Sequence, residues 1–352
     1  MSSAIPGINR TSLWKAWKAV RRDLKRAAKR DIIDFLEYDV DPDIWINRLL
    51  HQLKTGSYEP AAPSRFYLAK SNGFSRKMTT PAIPDLVLYR AIVDWFYEKA
   101  KRREKKHVYF ERSQLHQATI KAHKAAQIDM DKVASSSAPY AVSLSTFLVW
   151  LRYDQYRKYL ILRKISPFIV ITDITNFFDS VLHMRIAESL HKIAAHPRLV
   201  GLLFFLLERL AVRDTFSESP RMGLPVDQFG CSRALAHMVL FSHDDEMVNL
   251  VGENSYVRWA DDQTFAVATR ADSLRTLAAV SKSLAQLNLT PNAGKSKILT
   301  LSQARRHFHL NLNKMLDDAQ SMPHGTANEL HLLRRIVRKI LRLARPHEDI
   351  GE

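Results

Sequence analysis

Cysteine is almost missing from this chain of 352 residues, where Cys231 stands alone. A single thiol excludes an internal disulfide and any zinc cluster built on cysteines, and it suits a reducing cytoplasm. Long hydrophobic runs are missing as well. No apolar stretch approaches the ~20 residues that a membrane helix needs, and the N-terminus has no apolar signal-peptide core. Internal repeats and long low-complexity tracts are absent, which excludes a solenoid. Acidic charge is in short supply, with 53 Lys plus Arg against 36 Asp plus Glu and a formal net charge of +17. The expectation is a non-membrane, cytoplasmic protein whose fold is held by its core alone.

The chain has ample apolar material for that core, at 46% hydrophobic residues. Its length suggests two or three domains or subdomains. The excess of positive charge suits a polyanionic partner, nucleic acid ahead of an anionic membrane. From Thr11 to about Tyr38, residues Trp14, Trp17, Val20, Leu24, Ala28, Ile32 and Phe35 recur every three to four positions. That spacing predicts one helix, capped by Thr11 or Ser12. Lys15, Lys18, Arg21, Arg22, Lys25, Arg26, Lys29 and Arg30 cover its other faces and suit solvent or phosphate equally well.

Prolines, glycine and short β-type runs over 57–85 predict a small irregular sheet, followed by a helix over 85–100 and a loop over 133–145. The pattern changes at Pro167. "PFIVITD" reads as a buried strand, 183–195, 197–212 and 230–250 as helices, and 255–269 as a hairpin. A helix over 272–287 and a strand near 297–301 complete a βαββαβ plan of α+β class. "ELHLLRRIVRKILRLAR" predicts a basic amphipathic helix that could close a helical end domain or lie against nucleic acid.

Asp173 ends the apolar strand, and Asp261 and Asp262 sit at the hairpin turn. Carboxylates at the ends of two neighbouring central strands would converge at one sheet edge. Such a concentration of negative charge is costly unless divalent cations neutralise it. Two cations ~3.5–4 Å apart can activate a hydroxyl and stabilise a leaving pyrophosphate. Hard oxygen ligands favour Mg²⁺, with Mn²⁺ possible, over zinc. Two other acidic pairs, in "HDD" at 243–245 and "DD" at 317–318, lie in helical or polar surroundings and read as solvated surface charge. His307 and His309 alternate as on a strand, with no third metal ligand in view.

With these residues in place, the chain resembles bacterial reverse transcriptases. "DITNFFDS" is similar to their motif A, "RWADD" to motif C, and "LNLTPNAGKSKI" to motif D. "YEPAAPSRFYLAKSNGFSRKMTTPAIPDLVLYRAI" resembles their fingers segment, so that four ordered motifs span about residues 57–300. The resemblance implies a right-hand polymerase: a basic helical region over 1–55, fingers over 56–165, a palm over 166–305 and a short helical thumb over 306–352. Asp173, the Ile174 carbonyl, Asp261 and Asp262 would bind two Mg²⁺ ions, with Asp261 the direct ligand and Asp262 the auxiliary one. Lys70 and Arg76 would hold the incoming triphosphate through charge-assisted hydrogen bonds. Phe178 beneath the sugar would favour deoxynucleotides, with Phe177 in the core. Gly223 and Pro225 would turn tightly near the nascent base pair. Lys295 could protonate or position pyrophosphate, or be a solvated lysine.

Two departures stand out. Motif B reads "GLPVDQFGCSRALAH", with Val226-Asp227 in place of Gln-Gly and Ser232 one residue late. Its Ser232–Ala236 ending is closer in style to the abortive-infection and defence-associated members. Trp259 replaces the usual tyrosine and would either contact the primer end or fill the palm core. The implied activity is RNA-directed DNA polymerisation with an RNA template, dNTPs and a DNA product. The implied setting is anti-phage defence, with a dedicated noncoding RNA and a possible homo- or hetero-oligomer. A retron- or intron-type enzyme and a catalytically silent RNA-binding scaffold are the alternatives.

Overall fold

Leu13, Ala16, Trp17 and Val20 share one helical face at i, i+3, i+4 and i+7, and all four are buried. They seat α1 (Arg10–Arg26) against α4 (Ile83–Ala100), the central helix of the N-terminal half. Burying a side chain such as Leu13 or Val20 contributes about 1.5–3 kcal/mol. The computed structural model describes residues 5–26, 34–69, 73, 75–110, 144–162, 166–210, 221–225 and 230–344. Within them, the single helix expected over 11–38 is α1 followed by α2 (Asp34–Val40). Its cap is Asn9, not Thr11 or Ser12. Asn9 accepts from the Ser12 amide at 2.9 Å, and the Ser12 hydroxyl accepts from the Asn9 amide at 2.9 Å. This reciprocal pair satisfies two otherwise orphaned donors.

Asp41 caps α3 (Pro42–Thr55), which ends at Gly56 with φ 74°. The small sheet expected over 57–85 is one antiparallel hairpin, β1 (Ser64–Ala69) with β2 (Ser75–Thr80). The expected 133–145 loop lies almost wholly outside the described residues. After β3 (Val108–Tyr109) comes α5 (Leu144–Leu162).

The βαββαβ order is realised as β4 (Phe168–Thr172), α6 (Phe177–Ser180), α7 (His183–His191), α8 (Pro197–Leu210), α9 (Cys231–Val239) and α10 (Phe241–Val251), then β5 (Tyr256–Trp259), β6 (Asp262–Val267), α11 (Arg270–Gln286) and β7 (Lys297–Thr300). β4 is flanked on both sides by antiparallel neighbours, in the order β3-β5-β6-β4-β7. β3 adds a parallel edge strand from upstream of Pro167. Strand alternation splits the sheet into two faces. Tyr256, Phe265 and Val170 join the main core, against which α10 and α11 pack. Val257, Ala266 and Ile169 join a second core with α5 and α12 (Leu301–His307). The fold is mixed α+β.

The helix expected over 230–250 is broken at Leu240, and the turn there aims His243 and Asp244 at the sheet. Both are buried, which overturns their reading as solvated charge. Asp317 and Asp318 are exposed as expected. His307 and His309 are not on a strand. His307 ends α12, and His309, with φ 49°, precedes α13 (Leu310–Gln320). The basic C-terminal helix, α14 (Ala327–Ala344), packs on α13 around Ile336 and leaves Leu330, Val337 and Leu341 exposed. Among the described residues, no helix is long and apolar enough to cross a membrane.

Candidate active site

The central position of β4 explains where its first charged residue falls. Its side chains are apolar because both faces are covered, and Asp173 comes where strand pairing stops. Thr172 pairs with Gln263 in β6, so one step further along the same register Asp173 comes opposite Asp262. Successive residues alternate faces, which puts Asp173 and Asp262 on the same face of the sheet. Asp261 stands within hydrogen-bonding reach of Asp173. Three carboxylates from two adjacent strands therefore meet at one edge.

Their mutual influence is visible in their acidities. Burial first, then the charges of Asp262 and Asp173, push the Asp261 carboxyl up to about 7. Burial and the Asp173 charge raise Asp262, while Lys295 and Arg157 pull it back. Lys295 is two-thirds exposed along its length, yet its ammonium reaches Asp173 Oδ2 at 2.8 Å. That bond raises the lysine's own pKa. Lys295 is thus both exposed to solvent and ion-paired to Asp173.

Asn292, which sequence reasoning passed over, organises this corner. Its amide donates to the Asp173 carbonyl at 2.7 Å, and its side-chain nitrogen donates to Asp173 Oδ2 at 3.2 Å. It also holds the loop that carries Lys295, accepting from the Lys295 amide and the Ser296 hydroxyl. The Pro-Asn pair before the glycine was the available signal. Ile174 forms an isolated bridge with Pro291 through the flanking Asp173 carbonyl and Thr175 amide. Antiparallel alternation therefore turns the Ile174 carbonyl away from Pro291, toward the β6 side.

Carboxylate and carbonyl oxygens are the right donors for Mg²⁺ or Mn²⁺, and a cation would offset both the burial of Asp261 and the neighbouring charges of Asp262 and Asp173 that raise it. The residues fit such an ion chemically. Among the described residues, no three His, Cys, Asp or Glu side chains form a ready-made cage. Lys295 serves as the local cation in this arrangement.

The hairpin turn has an unusual composition. Trp259 pairs with Asp262, so Ala260 and Asp261 make a two-residue loop. Ala260 has φ 51°. A positive φ at the first loop position favours glycine, and alanine there costs about 1–2 kcal/mol. Arg258, also missed in the sequence, answers for it. It is fully buried and forks onto Asp244, with Nε to Oδ1 at 2.8 Å and Nη2 to Oδ2 at 2.5 Å. Its Nη1 donates to the Ala260 carbonyl at 2.6 Å. The Ala260 amide in turn donates to the Tyr109 carbonyl at 3.0 Å.

The other expected site residues lie around this turn or beyond it. Phe177 is buried and Phe178 half-buried, their rings 5.4 Å apart. The Leu224 amide donates to the Phe178 carbonyl at 2.9 Å, which sets the Gly223–Pro225 segment beside Phe178. Gly223 has φ 86°. Pro225 is buried, and its carbonyl accepts from the Ser232 hydroxyl at 2.5 Å. Trp259 is half-buried, with its ring 5.8 Å from that of Tyr153 on α5. Arg76 lies on β2 opposite Leu68, and only its backbone is described. Lys70, Val226 and Asp227 fall outside the described residues.

No family model and no curated protein matches the chain. Among solved structures it is similar to apo telomerase from Candida Tropicalis truncated from the C-terminal domain, at 15% identity and TM-score 0.37, covering 73% of this chain and 55% of that one. It is also similar to apo telomerase from Candida Tropicalis, at 13% identity and TM-score 0.38, covering 73% and 48%. The chain spans about half the length of these two proteins. Likeness at this level assigns neither a family nor an activity.

Proposed function

We propose that the chain is an RNA-directed DNA polymerase that adds deoxynucleotides by nucleotidyl transfer. The observation that carries this is the meeting of Asp173, Asp261 and Asp262 at the ends of β4 and β6, with Lys295 on Asp173. The sequence resemblance adds the order of its four motifs. In this reading β4 to β7 lie in the palm over 166–305, β1 to β3 in the fingers over 56–165, and α13 and α14 in the thumb over 306–352.

Asp173, Asp261, Asp262 and the Ile174 carbonyl would hold two Mg²⁺ ions, with Mn²⁺ as a substitute. When bound, these ions supply Lewis-acid activation of a primer hydroxyl and stabilise the pyrophosphate. The protein's own groups do the rest. Lys295 would exchange Asp173 for a phosphate oxygen and remain a charged donor, because an ordinary lysine is protonated near neutral pH. Lys70 and Arg76 would hold the triphosphate. Phe178, set beside Gly223 and Pro225, would meet a 2′-hydroxyl and exclude ribonucleotides. Trp259 would offer the unburied part of its ring to the primer end while Tyr153 backs it. The proposed setting is anti-phage defence with a dedicated noncoding RNA, which rests on the Ser232–Ala236 resemblance.

Primer extension with Mg²⁺, dNTPs and an RNA template tests the activity. Wild type should incorporate, Asp173→Ala and Asp261→Ala should not, and Lys295→Ala should be slower by about 10²-fold. Phe178→Ala should admit ribonucleotides. Equal trace incorporation by wild type and Asp261→Ala would sink the reading.

A further inference from the structure

Arg258 has no role in the polymerase chemistry, yet it is a fully buried guanidinium one residue from the turn that carries Asp261. Its fork onto Asp244 is enough to neutralise it. The third contact, to the Ala260 carbonyl, does something else. Ala260 is held in the left-handed region, where an alanine does not stay by preference. Both of its backbone polar groups are taken from outside the turn: the carbonyl by Arg258 and the amide by the Tyr109 carbonyl on β3. Asp244 is itself fixed by the Tyr256 hydroxyl at 2.8 Å. The peptide immediately before Asp261 is thus gripped by a rigid, buried set of side chains.

We infer that Arg258, backed by Asp244, is a positioning residue that clamps Ala260 in its left-handed conformation and thereby aims the Asp261 carboxylate at Asp173. This rests on the polymerase reading for its consequence in catalysis, although the clamp itself is independent of it. The buried pair acts from the face of the sheet opposite Asp173 and Asp262, so Arg258 need touch neither substrate nor metal.

The test separates the clamp from ordinary core stability. Arg258→Lys retains a cation for Asp244 but loses the planar fork that serves two acceptors at once. Ala260→Val leaves the buried pair intact and places a β-branched residue where φ is positive. Ala260→Gly removes the need for a clamp, because glycine adopts that φ without strain. Mn²⁺ binding followed by electron paramagnetic resonance, primer extension and thermal melting are measured for each variant and for Arg258→Lys combined with Ala260→Gly.

Arg258→Lys and Ala260→Val should each weaken Mn²⁺ binding and incorporation by ~10- to 100-fold. The double variant should regain most of the Mn²⁺ binding and incorporation that Arg258→Lys loses, with a melting temperature only slightly above that of Arg258→Lys because glycine relieves the strain at Ala260. Melting that falls without a change in Mn²⁺ affinity, or no rescue by glycine, would make Arg258 a core residue only and overturn the proposal. Hydrogen exchange across 256–267 gives a readout that needs no activity. Exchange in Arg258→Lys that quickens at the turn more than in β4 and β7 supports the clamp even in a protein that polymerises nothing, and an unchanged or uniform response overturns it. A wild type that neither binds Mn²⁺ nor incorporates nucleotide would defeat the polymerase reading alone.

Discussion

His243, Asp244 and Asp245 look alike in the sequence and differ completely in the fold. Asp245 is partly exposed and meets Lys105 at 2.6 Å and Arg103 at 3.4 Å. Asp244 is buried, and the Arg258 guanidinium holds its carboxyl below the usual range against the opposing effect of burial. Removing one partner of a buried pair leaves an uncompensated charge, so Asp244→Ala should lower unfolding free energy by about 3–5 kcal/mol. Asp245→Ala should change it by about 1 kcal/mol or less, because exposed pairs are weak. Urea denaturation of the two variants checks the contrast, and similar losses would contradict it. Adjacent charges were legible in the sequence, but which of them turned inward was not. That depended on the helix break at Leu240, where neither glycine nor proline gives warning. Asp173 and Asp261-Asp262 were legible because the first follows an apolar run and the pair stands at the turn between two β-type stretches.

At the scale of elements, β4 to β7 could be read, because burial on both faces leaves an apolar run and burial on one face an alternation, whereas the two-residue β3 left no such signal. Helix ends were harder, since a cap is a local exchange of hydrogen bonds with several acceptable donors. Asn9 took the role expected of Thr11 or Ser12. The docking of α1's leading segment onto α4 was not legible, for it depends on a glycine distant in sequence from its partner. Gly7 has φ 83°, and a Cβ there would lie 2.3 Å from the Trp95 ring. Lys99 also stands over the ring, its ammonium 4.1 Å from the centroid. Gly7→Ala should therefore carry about 1–2 kcal/mol of backbone strain before the ring moves at all. Trp95 fluorescence should shift along with a lower denaturation midpoint. An unchanged midpoint would show that the leading segment does not contribute to the stability of α4.

For the whole molecule, pH sets two groups of residues against each other. Burial lowers the pKa of His183, His237 and His243, and of His107 to about 4. Unfolded histidines bind protons near 6.5, so between about 4 and 6.5 the unfolded chain holds more protons and these groups make stability rise with pH. Asp261, Asp262 and Asp85 do the opposite. Their folded pKa values are raised, Asp261 to about 7, so the folded chain holds more protons and stability falls as pH rises through that range. The two contributions overlap with opposite signs, and the melting temperature of wild type should vary little across this window. Asp261→Asn removes the largest of the opposing acids and relieves its repulsion with Asp173 and Asp262. Its melting temperature should match wild type near pH 4, rise progressively above it between about pH 4 and 7, exposing the histidine slope, and keep that gap at higher pH. Added Mg²⁺ should raise the melting temperature of wild type at pH 8 and leave that of Asp261→Asn nearly unchanged, so the gap between them closes. A variant that runs parallel to wild type at every pH would mean that the three carboxylates do not share one field. The carboxylate cluster would then hold no stored repulsion for a cation to relieve.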